Sequence, residues 1–253
     1  MANPRFHRIL LKLSGDALGG NSPGNFSVPM LQQLASEIQQ LQQQGIQLAL
    51  VVGAGNICRG TELEQLGIGR VQADTMGMLS TVINGLMIQD VLQRHANIPC
   101  SVLSAISMTP AVCEAYSASH AIERLKQGHV VICTGGTSNP YFTTDTAASL
   151  RALELNAQVL LKATQVDGVY DKDPKQHPQA KRYQRLNYND VIQQQLNVMD
   201  LTSICLCQQH HIPICVFNIL QQGNLLRAIT GDPVGTWVSD SSAKSGSRRQ
   251  QNS

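Results

Sequence analysis

Charge is scarce in this chain. Only 14% of its 253 residues are Asp, Glu, Lys or Arg, and the formal net charge is +2. That balance forecasts no basic surface of the kind a nucleic-acid polymer requires and favours a small ligand as partner. Long apolar runs are missing too, and no uninterrupted stretch approaches the roughly 20 residues of a membrane-spanning helix. The opening Met-Ala-Asn-Pro-Arg lacks the charged start, apolar segment and cleavage site of a secretory leader, so the predicted compartment is the cytoplasm. Cysteine shows no disulfide framework: Cys58, Cys100, Cys113, Cys133, Cys205, Cys207 and Cys215 are odd in number and mostly lie among apolar residues, as reduced core thiols do. Cys205-Leu206-Cys207, close to His210 and His211, lacks the two-residue spacer of common zinc pairs, and no structural metal is predicted.

What is present is an alternation of short β-rich runs and longer stretches of helical period, the pattern of a parallel sheet covered by helices. Predicted strands are Arg8 to Leu13, Leu48 to Val52, Ser101 to Leu103, His129 to Cys133, Gln158 to Leu161 and Pro213 to Phe217. Several are apolar throughout, as strands buried on both faces are. Predicted helices are Pro29 to Gln44, capped at Gly45, then Thr75 to His95, Ser117 to Gln127, Thr146 to Leu155 and Asp200 to His211. One domain over residues 1–238 is expected. A disordered tail is expected over 239–253, which is rich in Ser, Arg and Gln without an apolar anchor. Gly20 to Asn25 reads as a flexible loop.

Ligands of open parallel sheets sit beyond the carboxyl ends of the strands, and the loops there are unusual. The first strand ends in Lys12-Leu13-Ser14-Gly15-Asp16, a mobile cation followed by residues that let backbone N–H groups approach an oxyanion. The second leads into Gly53-Ala54-Gly55-Asn56-Ile57-Cys58-Arg59-Gly60, glycines for close approach and a planar donor fork at Arg59. A dinucleotide fingerprint is the competing reading, with Asp74 as ribose acid; it fails because Cys58 takes the third glycine position and the loop follows the wrong strand. The fourth strand leads into Thr134 to Asp145, polar and glycine-bearing ahead of a helix, with Thr144 or Asp145 as its cap. The fifth leads into Lys162-Ala163-Thr164-Gln165-Val166-Asp167-Gly168-Val169-Tyr170, followed by Asp171-Lys172-Asp173. Singly, each reads equally well as an ordinary turn or cap. Together, without any Walker A pattern, they describe an enzyme that brings two phosphorylated ligands end to end.

The blocks RILLKLSGDAL (Arg8 to Leu18), GAGNICRG (Gly53 to Gly60), GRVQADTMGMLSTVINGL (Gly69 to Leu86), TSNPYFTTDTAA (Thr137 to Ala148), LKATQVDGVYDKDP (Leu161 to Pro174) and VMDLTS (Val198 to Ser203) resemble the uridylate kinases of the amino-acid kinase superfamily. The resemblance implies a three-layer α/β/α sandwich and transfer of the γ-phosphoryl group of ATP to UMP, with Mg²⁺ accompanying ATP. It places ATP phosphates at Lys12, Ser14, Gly15, Gly55 and Arg59, and the adenosine side at Thr164, Tyr170 and Asp173. It places UMP at Ala54, Asp74, Thr137, Ser138, Asn139, Pro140, Tyr141, Phe142, Thr143 and Thr144, with Asp74 accepting from ribose hydroxyls. The acceptor side would thus lie mainly in the N-terminal part and the ATP side mainly in the C-terminal part. Lys12, Arg59 and Lys162 would neutralise charge, while Asp145 and Asp200 would orient the lysines and the metal-bound phosphates. Two residues depart from the family pattern: Ala54 stands for a glycine and Asp16 for a glutamate. The resemblance further implies a homohexamer, activation by GTP and inhibition by UTP, and the apolar surplus of Met76 to Leu92 suits a subunit contact. Rival readings are a kinase for an amino-acid carboxylate or carbamate, a catalytically silent nucleotide sensor, and a nicotinamide-dependent dehydrogenase.

Overall fold

The computed structural model describes residues 4–19, 25–174 and 176–240. The strands are β1 (Arg8–Leu13), β2 (Gln47–Val52), β3 (Cys100–Ser104), β4 (Glu114–Ala115), β5 (Val130–Thr134), β6 (Leu160–Thr164), β7 (Arg185–Leu186), β8 (Ile214–Asn218) and β9 (Thr236–Val238). They form one sheet in the order β4-β3-β5-β2-β1-β6-β8-β9-β7, every pairing parallel except β8 with β9. The central strands are apolar on both faces because both faces are covered. On β1, Ile9, Leu11 and Leu13 belong to one core cluster and Leu10 to the other, as the two-residue side-chain period of a strand requires.

The first of those clusters is completed by helices α1 (Gly15–Gly19), α2 (Val28–Gln43), α4 (Arg70–Ala96) and α9 (Asn224–Thr230). The second is completed by α5 (Ala118–Lys126), α6 (Thr144–Glu154), α7 (Tyr188–Gln193) and α8 (Leu201–Gln209). A short α3 (Gly60–Gln65) precedes α4. The molecule is therefore a three-layer α/β/α sandwich with a mainly parallel sheet. Helix α2 shows how locally this is encoded. Ser27 caps it by accepting from the Met30 N–H, Pro29 stands in its first turn, and Met30, Leu31, Leu34, Ile38 and Leu41 are buried. Its cap residue is Gln44, with Gly45 following at a left-handed φ of 72°. Among the described residues, no helix is long and apolar enough to cross a membrane.

Several expectations shift. Helix α4 begins at Arg70, ahead of Thr75, since Gly69 and the polar Gln72 and Asp74 mask its first turn without breaking it. Strands β4, β7 and β9 escape the hydrophobic pattern because two or three residues are too few to show a period. Ser239 and Asp240, read as the start of a disordered tail, are held in place. The Ser239 N–H donates to the Leu186 carbonyl, and Asp240 lies 2.6 Å from His211. Residues 241–253, and most of the loop from Gly20 to Asn25, lie outside the described residues.

Candidate active site

The register of β1 against β6 sets Lys12 directly beside Lys162. Both residues share the strand parity of Leu10 and Leu160, so they project toward the layer that holds α6. Asp145, in the first turn of α6, meets both. Its Oδ2 accepts from Lys162 Nζ at 2.9 Å, and its Oδ1 lies 2.7 Å from Lys12 Nζ as a charge contact without an aligned hydrogen bond. Lys162 also donates to the Val198 carbonyl at 2.5 Å. Burial pushes the Asp145 carboxyl upward, but the ammonium groups of Lys12 and Lys162 outweigh it and hold the pKa below the usual carboxylate value. For Lys162 burial dominates and lowers the pKa, with Asp145 opposing and Lys12 reinforcing. The trio therefore carries one surplus positive charge out of water, a centre completed by an arriving anion.

The loops after β1 and β2 are pressed together. A Cβ on Gly15 would stand 2.4 Å from the Gly55 nitrogen, so glycine is required for the two backbones to touch. Arg59 fastens the pair: its guanidinium donates to Asp16 Oδ1 at 2.5 Å and to the Gly55 carbonyl at 3.2 Å. The shorter reach of Asp16 is thus sufficient for Arg59. Ser14 stays local, its hydroxyl accepting from the Ala17 N–H at 3.3 Å.

Beside these loops opens a cavity of about 440 Å³. Of the residues predicted for phosphate and acceptor binding, Ala54, Gly55, Arg59, Asp74, Thr137, Asn139, Phe142, Thr143 and Thr144 line it. Lys12, Ser14, Gly15, Ser138, Pro140 and Tyr141 do not, the lysine centre adjoining the cavity through Thr144, the residue before Asp145. Ser138 and Tyr141 instead make the bend of their loop at φ 65° and 70°, a conformation uncommon outside glycine and often found at functional sites. The Tyr141 N–H donates to Asp74 Oδ2 at 2.7 Å, and Arg70 Nε donates to the same oxygen at 2.8 Å. The Arg70 guanidinium stands 5.4 Å from the Tyr141 ring centre. Arg70, Cys58, Met78 and Thr81 also line the cavity and were missed from sequence. Arg70 had a readable signal, being four residues ahead of Asp74 on one helix.

Asp200 proves to be a structural hub. It caps α8 through the Ser203 N–H at 2.9 Å and accepts from the hydroxyls of Thr143 at 2.5 Å, Thr146 at 2.9 Å and Ser203 at 2.8 Å. Burial raises its pKa, and these hydrogen bonds bring it below the ordinary value. It thereby joins the N-termini of α6 and α8, while Asp145 holds the lysines. The cap of α6 is Thr143, whose hydroxyl accepts from the N–H groups of Asp145 and Thr146; Thr144 and Asp145 are already helical. Of the residues read as the adenosine side, Thr164 ends β6 and Tyr170 and Asp173 follow in the loop after it; none lines the cavity. There the Thr164 hydroxyl folds back on Val166, and Tyr170 donates to Asp167 at 2.7 Å. Asp173 lies further along that loop. In sheet order β1 and β6, with their lysines, stand between the loops after β2 and β5 and the remainder of the sheet. A larger groove of about 760 Å³ near Arg5, Arg185 and Trp237 contains none of the predicted site residues and offsets its arginines with Asp190, Asp232 and Asp240. Of the cysteines, five are buried, whereas Cys58 is half-buried and Cys205 exposed; the expectation of core thiols fails at these two. Helix α8 turns Cys205 outward, and the loop after β2 places Cys58 on the cavity wall.

A buried cationic centre flanked by glycine loops thus lies at the carboxyl end of a parallel sheet, in a chain without a Walker A loop. The description of the amino acid kinase family matches residues 7–218, and the chain belongs to that family. It is 48% identical to a uridylate kinase of Methylococcus capsulatus over 93% of this chain and 98% of that protein. It is likewise 48% identical to a uridylate kinase of Pseudomonas putida over 95% of this chain and 96% of that one. Among solved structures, a UMP kinase from Bacillus anthracis superposes with a TM-score of 0.90 at 40% identity, covering 94% and 97% of the two chains. One from Ureaplasma parvum gives 0.87 at 36%, covering 93% and 100%. Within the family, the chain falls among the uridylate kinases.

Proposed function

We infer that this chain transfers the γ-phosphoryl group of ATP to UMP, giving ADP and UDP. The observation that carries the reading is the surplus positive charge of Lys12, Lys162 and Asp145 beside a cavity lined by Arg59, Asp74 and the Thr137–Thr144 loop. A phosphate monoester is largely dianionic at neutral pH and needs no side-chain base. A UMP phosphate oxygen attacks the γ-phosphorus, the bond to the β-phosphate oxygen breaks, and ADP leaves with that electron pair. Gly55 and Arg59, read from sequence with the ATP phosphates, line the same cavity as Ala54 and Asp74 and would also hold the acceptor phosphate in line, while Lys12 and Lys162 would take up the charge spread over the transferred group. Asp74 would orient the ribose while its Oδ2 holds the Tyr141 loop, and Thr164, Tyr170 and Asp173 would face the adenosine.

Mg²⁺ enters with ATP as part of the substrate. The donor set suits this: Asp145 is engaged by two lysines, Asp200 by hydroxyls and a backbone N–H, and Asp16 by Arg59. An ion ligated chiefly by phosphate oxygens and water fits such a site. We propose that the enzyme is cytoplasmic and a homo-oligomer, a hexamer by family resemblance, with GTP as activator and UTP as inhibitor. Met76, Leu79 and Ile83, exposed along α4 at helical spacing, support a subunit contact there. Substrate class is tested by ADP release with MgATP and UMP, CMP, dUMP, glutamate, aspartate or carbamate. Stimulation by UMP far above the others is expected, and stimulation by an amino acid or carbamate would overturn the assignment.

A further inference from the structure

Helix α4 holds the walls of the acceptor cavity through Thr81 and Asn84, which lie in the Gly69 to Leu86 block but were given no site role there. Asn84 is fully buried. Its Nδ2 donates to the Gly53 carbonyl at 2.7 Å and to Asn56 Oδ1 at 2.8 Å, while Asn56 Nδ2 donates back to Asn84 Oδ1 at 3.1 Å. This reciprocal amide pair clamps the glycine loop after β2 at two points. Three residues earlier, Thr81 is 1% exposed. Its hydroxyl donates to the Met78 carbonyl at 2.6 Å and accepts from the Gly135 N–H at 2.8 Å. Gly135 begins the loop after β5 in a left-handed conformation at φ 75°, and a Cβ there would stand 2.9 Å from the Ile106 nitrogen. The backbone at this turn is therefore tightly prescribed. Asp74, ten residues before Asn84, holds the far end of the same loop through Tyr141.

Positions 74, 81 and 84 fall on one side of a helix that advances roughly 100° per residue. A single rigid rod thus sets the spacing between the loop that would grip the acceptor phosphate and the loop that would grip its nucleoside. We propose that Thr81 and Asn84 are positioning residues for the phosphoryl acceptor, setting the width of its cavity through the Gly135 and Gly53 backbones without touching the reacting atoms. Besides the Asn56 amide, the partner groups are the Gly53 carbonyl and the Gly135 N–H, backbone groups that no side-chain change could replace, and a misplacement of about 1 Å is enough to cost function. Among the described residues, the hydrogen bonds of Thr81 and Asn84 all stay within α4 and the loops after β2 and β5, so the donor nucleotide should be indifferent to both. The proposal rests on the placement of the acceptor in this cavity.

The test is steady-state kinetics on Thr81→Val, which keeps the shape and removes the hydroxyl, with Thr81→Ser as the conservative rescue. Asn56→Ala, Asn84→Ala and their double variant form a cycle, and Arg59→Ala is measured in parallel. Thr81→Val should raise KM for UMP about tenfold and leave KM for ATP within about twofold, and Thr81→Ser should restore wild-type values. The asparagine variants should shift KM for UMP non-additively, as groups of one network do. If Arg59→Ala raises KM for UMP and Thr81→Val does not, the positioning role is refuted and the cavity assignment stands. If neither moves it, the cavity assignment fails and the proposal falls with it. Should Thr81→Val raise both KM values equally, or Thr81→Ser fail to rescue, a general structural role replaces the proposed one.

Discussion

Lys12, Lys162 and Asp145 hold one more positive than negative charge in a space largely closed to water, and that surplus governs what substitutions do. Lys12→Ala leaves Asp145 with one cation and removes one of the two ammonium groups proposed to take up the migrating charge. Its kcat should fall by about 10²–10³, the scale of deleting one aligned stabiliser of transition-state charge, with a much smaller rise in KM for UMP. Steady-state rates with saturating MgATP check this, and a near-normal kcat would remove Lys12 from catalysis. The thiols provide a second check at the residue scale. Burial pushes Cys100, Cys133 and Cys215 up to about 12 and Cys207 up to about 11, and raises Cys113 as well. A thiol must ionise to react. In the native protein a chromogenic disulfide reagent should therefore label Cys205 and Cys58 first, the Cys58 reaction slowing when UMP fills the cavity. Fast labelling of the buried thiols would show that the core opens more readily than its packing implies.

At the scale of elements, two side chains decide how neighbours meet. Gly15→Ala would drive a methyl into the Gly55 backbone, so the loops after β1 and β2 must part. Activity should drop steeply and stability should fall by about 1–3 kcal/mol with it, read by pairing kinetics with melting curves. Glu37, on α2, is 2% exposed and accepts from the N–H groups of Gly223 and Leu225 at the start of α9. Glu37→Ala strands those donors and should cost about 2–4 kcal/mol in urea unfolding, with kinetics of the folded fraction unchanged. Glu37 also shows what sequence could not reveal. Strands β1, β2, β3, β5 and β8 were legible because each is a largely apolar run bounded by polar turns, whereas β6, predicted over Gln158 to Leu161, runs from Leu160 to Thr164 because its Lys162 and Thr164 read as loop, and a lone glutamate on a helix reads as solvated surface. The same limit hid Thr81 and Asn84, polar residues whose partners are backbone groups 54 and 31 positions away. Asp145 and Lys162 were legible as members of their loops. Their ion pair depends on the β1–β6 register and on where α6 begins, which only the assembled sheet supplies.

For the whole molecule, the depressed acids set the response to pH. Asp145 and Asp200 have folded-state pKa values below their ordinary value of 3.8, so the unfolded chain binds protons first as pH falls. Their contribution to stability is complete above that value and lost as pH drops through their folded pKa values. Urea midpoints should be flat on this account from neutrality down to about pH 5 and fall below about pH 4, less steeply in Asp200→Asn than in the wild type. Assembly is a property of the same scale. Ile83→Asp, which puts a charge into the exposed stripe of α4, should lower the molar mass measured by light scattering. The central claim, that the lysine pair and its aspartate drive transfer between two nucleotides held end to end, is tested most directly by ³¹P NMR of the purified enzyme with MgATP and UMP. The account predicts that ADP and UDP appear in equal amounts, and that Lys12→Ala still binds UMP yet forms neither at a comparable rate. ADP without UDP, or undiminished turnover in Lys12→Ala, would contradict it.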